Sequence, residues 1–336
     1  VLPQPALPQP AAGQPEAGRA GEGQPDVPVV PAEAASGPST PVPPAEPVRV
    51  RVGVGRDHAS TGEERRRYRE QAGAQHERHV VAVARALAQR PALRGGAVRP
   101  SREAEDVTAA DLAALRAYLC GEPSDLDQRL RTADPSDALA HTACALSGLR
   151  VLPACRGAVF RAARLAPALL ERYRPGLVLL EPGFTAATTS APDPTAEPDA
   201  VVYVLWSQTA RRTGWLDATG SDAEVVFPAG TEFLTLAVEP APAGWSDGPC
   251  TLVHLREHRR PGAAGPDVVP LDEADRTLLA RLRAAVAARV AERAAGVAEA
   301  ERDADGSPAA PVPARSLPRH GFALGLDDRG LPFLRA

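Results

Sequence analysis

The residues best placed to do chemistry lie in one acidic stretch, Asp222-Ala223-Glu224-Val225-Val226-Phe227-Pro228-Ala229-Gly230-Thr231-Glu232-Phe233. In an extended strand alternate side chains share a face, spaced about 6.5–7 Å apart along it. Asp222 and Glu224 therefore project together, while Val225 and Phe227 point the other way, toward a core. Two carboxylates so placed can divide labour, one stabilising developing positive charge and one handling a proton. Taken alone, a D-x-E at a strand start is more commonly a pair of solvated acids. Its neighbours decide between the two.

Other constellations are weaker. Gly53-Val54-Gly55 is a G-x-G with no third glycine and no helix start behind it, so a strand end explains it better than a dinucleotide site. His76-Glu77-Arg78-His79 has its histidines at i and i+3, whereas two zinc ligands on one helix face need i and i+4. His254 and His258 straddle a strand end and read as structural or exposed. There is no G-x-S-x-G elbow for a serine nucleophile. The four cysteines, Cys120, Cys144, Cys155 and Cys250, form no C-x-x-C and read as small hydrophobes.

The elements that must position these residues follow from pattern and composition. Of 36 prolines in 336 residues, 13 fall before Val48, so Val1–Pro47 is expected to be a disordered arm. Val48 to Val52 alternates as a strand should, and Glu63 to Leu87 is helical in composition, its Arg65-Arg66-Arg67 reading as a solvated face among acids. Residues 48–105 are thus an accessory segment. A compact region is expected from Asp106, with Thr108 and Asp111 as a capping-box-like start and Leu112, Leu115 and Leu119 on one helical face. Short helices follow near Leu126–Leu130 and Ser136–Leu149. The period then changes to strands at Cys155–Arg161, Leu177–Glu181, Ala200–Trp206, Glu224–Phe227, Glu232–Val238 and Thr251–Glu257. Helices first and strands afterwards indicate α+β. A long helix from Leu271 to about Ala298 carries Leu279, Leu282, Val286 and Val290 on one stripe, and 301–336 reads as a second flexible tail.

Charge narrows the function classes. The 38 basic residues are balanced by 42 acids, giving a net charge of −4 without the basic footprint of a nucleic-acid binder. No apolar run is long enough for a membrane-spanning helix. The chain lacks Met and shows no signal-peptide pattern, which fits a fragment of a longer protein.

The segments occur in a telling order: helices, then Leu152-Pro153-Ala154-Cys155-Arg156-Gly157, then Glu181-Pro182-Gly183-Phe184-Thr185-Ala186-Ala187-Thr188, then Val201 to Ser207, then the acidic strand. This order resembles the mono-ADP-ribosyltransferase domain of bacterial toxins, the branch with an Arg, a Ser-Thr-Ser strand and an E-x-E strand. The resemblance covers about Thr108 to Glu257, and the domain is set at 106–260. It implies a mixed β-sandwich behind N-terminal helices, with NAD as substrate and no metal. It further implies that Arg156 and Gly157 bind the NAD phosphates or ribose, that Phe184, Thr185 and Thr188 line the nicotinamide ribose, and that Glu224 is the catalytic acid. Asp222 takes the place of the first acid of E-x-E, which engages the acceptor, and Arg211-Arg212-Thr213-Gly214-Trp215 lies where the family has its acceptor loop. Tyr203 and Trp206 are read as core.

Two departures keep alternatives open. Ala186 and Ala187 stand where the family has hydroxyls, and Asp222 is one methylene shorter than Glu. The expected activity is ADP-ribose transfer from NAD to a protein side chain, within a secreted toxin or delivered effector, or in the cytoplasm if not exported. An immunity protein is an expected partner. The alternatives are an NAD glycohydrolase on the same site and a degenerate, non-enzymatic interaction module.

Overall fold

The computed structural model describes residues 49–50, 53–89, 102–191, 199–216, 223–258, 268–302 and 322–335. The Pro-rich arm, Val1–Pro47, and Asp222 lie outside the described residues.

Helices come first. α1 (Gly62–Ala72) starts with a capping box in which the Thr61 side chain accepts from the Glu64 N–H and Glu64 accepts from the Thr61 N–H. The single helix expected from Glu63 to Leu87 is two, because Gly73 at φ 54° ends α1 before α2 (Ala74–Gln89) begins. α2 buries His76, His79 and Val83, a stripe spaced by three and four. The His-x-x-His pair is therefore part of the packed face. α3 (Arg102–Leu119) runs straight through Thr108, which corrects the expected cap there. Asp111 instead accepts hydrogen bonds from Ser60 and Ser147 at 2.7 Å each. α4 (Leu126–Leu130) and a 3-10 turn (Ser136–Ala138) lead into α5 (Leu139–Arg150). α5 is buried along most of its length and passes so close to α3 that a Cβ on Gly148 would stand 2.5 Å from the Asp111 carbonyl oxygen. α1 and α2 share one core with α3 and α5 through Tyr68 and Val83, so residues expected as an accessory segment pack within the helical layer.

Eight strands form one hydrogen-bonded sheet: β2 (Gly157–Arg164), β3 (Val178–Glu181), β4 (Thr185–Thr188), β5 (Ala200–Ser207), β6 (Arg211–Arg212), β7 (Glu224–Phe227), β8 (Thr231–Pro240) and β9 (Cys250–His258). A single turn, α6 (Pro167–Leu170), lies between β2 and β3. The spatial order is β3-β8-β9-β5-β2-β4-β7-β6. β2 and β4 touch at one register pair, Phe160 with Thr188. Side chains of β4 and β7 (Ala187, Val225, Phe227) share a core with Val159, Tyr203, Leu205, Val253 and Phe233 from the other part of the sheet. The expected sandwich is thus two halves of one mixed sheet packed over a common core.

The outer faces obey the two-residue period. Val202, Val204 and Leu234 pack with Leu282 and Val286 of α7 (Glu273–Arg302), while Phe184 and Val226 pack with the N-terminal helices.

The tail expected at 301–336 is corrected for residues 322–335. Leu324 and Leu326 are buried in the inter-sheet core, and β10 (Leu334–Arg335) pairs in parallel with β1 (Arg49–Val50). The Leu324 N–H donates to the Tyr203 hydroxyl at 3.1 Å, and the Tyr173 hydroxyl donates to the Leu324 carbonyl at 2.8 Å. Beside it Arg131 donates two hydrogen bonds to buried Glu181, at 3.1 and 2.6 Å. Glu181 also accepts from the Gly183 and Gly325 N–H groups, both at 3.0 Å. Removing one partner of such a pair strands the other charge in low dielectric. Glu181→Gln is expected to cost about 3–5 kcal/mol of stability, measured by urea unfolding. A loss under about 1 kcal/mol would show that the pair is not what holds the C-terminal segment.

Candidate active site

Glu224 opens β7 between two neighbours. Its register partner in β4 is Thr188, and on the other side the Thr213 N–H donates to the Glu224 carbonyl at 3.0 Å. Directly opposed residues in antiparallel strands project to the same face, so Thr188, Glu224 and Thr213 form a row across three chain segments. Glu224 is 8% exposed, and Thr188 is half-buried. The Thr188 Oγ1 accepts the Ser190 N–H at 3.1 Å, which fixes its rotamer. The Thr213 Oγ1 is fully buried, with no hydrogen-bond partner among the described residues. Val225 and Phe227 project to the opposite face, into the inter-sheet core.

Arg156 stands immediately before β2, exposed, ahead of Gly157. Gly157 has φ 120°, a conformation that a side chain would strain. The backbone around it is pinned from one side: the Ser207 hydroxyl donates to the Cys155 carbonyl at 2.7 Å, the Cys155 N–H to the Ala210 carbonyl at 2.8 Å, and the Arg212 N–H to the Pro153 carbonyl at 2.9 Å. β6, which pairs with β7, therefore also pairs with the segment that carries Arg156. The loop expected at Arg211–Trp215 begins as a strand, joining the arginine segment to the glutamate strand. Burial, with the nearby charges of Arg150 and Arg156, lowers the pKa of Arg211. Guanidinium groups gathered in this way attract a phosphate.

Two expected ligand residues are instead enclosed. The Phe184 ring packs on Tyr118 at 4.7 Å, and its N–H donates to Asp127 at 2.8 Å. Thr185 is fully buried on the face of β4 opposite to Thr188. Both side chains are buried in the packing that seats β4. Tyr203 is a core residue whose hydroxyl meets that of Tyr173 at 2.8 Å.

Glu257 carries no motif, and sequence reasoning passed over it. Its buried carboxylate accepts the N–H groups of Gln208 and Thr209, at 2.5 and 2.7 Å, and the Thr209 hydroxyl at 2.6 Å. These bonds hold the turn between β5 and β6. A two-residue strand such as β6 is likewise too short to show a period.

No protein-family model matches the chain. Over 131 residues it is 32% identical to "Putative NAD(+)--arginine ADP-ribosyltransferase Mav" of Mycobacterium avium (strain 104). The matched residues are the smaller part of both chains. They make up 38% of this chain, and the match spans only 16% of the mycobacterial protein. Among solved structures, the ADP-ribosyltransferase HopU1 of Pseudomonas syringae pv. Tomato DC3000 overlaps 60% of this chain and 99% of its own, with 17% identity and a TM-score of 0.48. The type III effector XopAI from Xanthomonas axonopodis pv. citri overlaps 61% of this chain and 87% of its own, with 22% identity and a TM-score of 0.45.

Glu257→Gln removes the charge from three hydrogen bonds while keeping the side chain's shape. Amide exchange at Gln208, Thr209 and Cys155 is expected to quicken by about tenfold, with β8 unaffected. Unchanged exchange at those three amides would show that the turn holds itself.

Proposed function

We propose that this chain transfers ADP-ribose from NAD to a protein side chain, releasing nicotinamide. The observation that carries the reading is the row Thr188–Glu224–Thr213, with a buried carboxylate at its centre and Arg156 on a segment tied to the same strand system. As the bond between the ribose C1′ and the nicotinamide nitrogen breaks, its electron pair leaves with nicotinamide and the ribose takes on oxocarbenium character. A fixed carboxylate at Glu224 stabilises that charge, and needs no reorganisation to do so. Arg156, with Arg211 behind it, offers a planar permanent cation to the diphosphate. The acceptor nitrogen then bonds to C1′ and gives up one proton, a task the reading assigns to Asp222.

The name of the mycobacterial relative supports arginine as the acceptor. The reading extends to a toxin or effector module that meets a host protein and is countered by an immunity partner. Among the described residues, no helix is long and apolar enough to cross a membrane. A second reading, NAD hydrolysis on the same site, is favoured by Asp222, which is one methylene shorter than Glu and reaches less far toward an acceptor.

Nicotinamide release from NAD by the purified chain tests the proposal, with labelled NAD and an arginine-rich acceptor protein separating transfer from hydrolysis. Glu224→Gln is expected to slow release by about 10²–10³-fold with the fold intact. Arg156→Lys should instead raise KM for NAD, because an ammonium cannot reproduce the bidentate fork. A wild-type rate in Glu224→Gln, or no release by the wild type, refutes the enzymatic reading.

A further inference from the structure

A cavity of about 340 Å³ opens in the helical layer, lined by residues of α1 to α5, the 3-10 turn and the link between α3 and α4, and by none from β4, β6 or β7. Its size falls within the range of about 300–1,000 Å³ typical of small-molecule sites. Tyr68 and His141 form one wall, their rings 4.8 Å apart. Tyr68 is 2% exposed, and its hydroxyl has no hydrogen-bond partner among the described residues. A buried hydroxyl left in that state favours a ligand that completes it.

The protonation of the wall can be read from its partners. A guanidinium can only donate, so the 2.7 Å contact between Arg116 and the Nδ1 of His79 makes that nitrogen the acceptor. The proton of His79 therefore sits on Nε2, which donates to Glu122 at 3.1 Å. His141 donates from Nε2 to the Ala114 carbonyl at 2.8 Å. Burial holds its pKa down to about 4, so the ring is neutral at pH 7 and its Nδ1 keeps a lone pair. Glu122 spends one lone pair on His79 and is 36% exposed, so it has further lone pairs to offer. Arg129, the cation among the lining residues, is paired with Asp125 at 2.9 Å, and Asp137 brings a second carboxylate. The wall is thus rich in acceptors and carries excess negative charge.

We propose that this cavity binds a small organic cation of the alkylguanidinium class, one that brings several N–H donors on a planar group. Glu122 accepts from its N–H edge, and Tyr68 contributes its unpartnered hydroxyl. The site is separate from Glu224, so the proposal stands whether or not the chain turns over NAD.

The test is calorimetric titration of the full chain with methylguanidinium, with tetramethylammonium as a cation that has no N–H, and with acetate. Methylguanidinium should bind saturably and at least about tenfold more tightly than tetramethylammonium, with acetate not binding. Glu122→Gln should weaken it about tenfold, Tyr68→Phe severalfold, and Asp137→Asn, an exposed change that leaves the core alone, about twofold. Three outcomes each overturn the proposal: no saturable binding of methylguanidinium to the folded wild type, equal binding of tetramethylammonium, or affinities unmoved in all three variants.

Discussion

Glu181 is where the chain's distant parts are fastened together. One carboxylate, 1% exposed, receives Arg131 from the end of α4, the Gly183 N–H from the turn into β4, and the Gly325 N–H from the C-terminal segment. The Arg131 guanidinium in turn lies beneath the rings of Phe322 and Phe333, at 4.6 and 5.6 Å. A charge buried so deeply is tolerable only when most of its lone pairs are engaged, so the four pieces must arrive together. The consequence reaches the site through three residues. With Gly183 fixed and the Phe184 N–H held by Asp127, β4 starts in one register, and a strand four residues long then sets Thr188 opposite Glu224. A slip of one residue would turn Thr188 into the core and bring Ala187 to face the carboxylate.

A second constraint closes the arrangement from the far side. β6 is only two residues long, yet it pairs with β7 on one edge and with Pro153–Cys155 on the other. The segments carrying Arg156, Thr188 and Glu224 are therefore linked in a ring by backbone hydrogen bonds, and Glu257 holds the turn that feeds it. Such a scaffold is preorganised, because ordering its polar groups belongs to folding and is not left to binding. α7 adds a further tie. Arg289 donates to the Thr189 carbonyl at 2.8 Å, one residue beyond Thr188.

Much of this was legible in the sequence, for identifiable reasons. β7 was readable to the residue because Val225 and Phe227 alternate with Glu224 and Val226 and a Pro-Ala-Gly turn follows. β5, β8, β9 and the stripe of α7 carry long enough periods to declare themselves. The misses share one cause, which is that tertiary partners override local signals. Thr108 looks like a cap, but the Asp111 carboxylate is taken by serines from two other segments. Residues 322–335 read as a tail because glycine, proline and charge surround a few apolar residues. Those few, Leu324, Leu326 and Phe333, are the ones the structure buries. Glu257 and Glu181 are acids in apolar strands, and nothing local says which backbone amides will fold back onto them.

The alanines of β4 bear on whether the site has decayed. Loss of two hydroxyls from a Thr-Ala-Ala-Thr strand looks, in sequence, like erosion. The register gives each position a different neighbour. Ala187 pairs with Val225 and packs in the inter-sheet core, while Ala186 pairs with Val226 beside the helical core. A hydroxyl at 187 would be buried among apolar groups and would need a partner there. Thr188 pairs with Glu224 itself and is half-buried, where a ligand can reach it. Thr188 carries a hydroxyl on the face that also carries Glu224, and Thr185 carries one on the opposite, fully buried face. Glu224, too, would be costly to keep buried for packing alone, since an uncharged side chain of similar volume would fill the same space without desolvating a carboxylate. Its place beside Thr188, on a strand braced from both sides, is the arrangement on which the proposed reading rests.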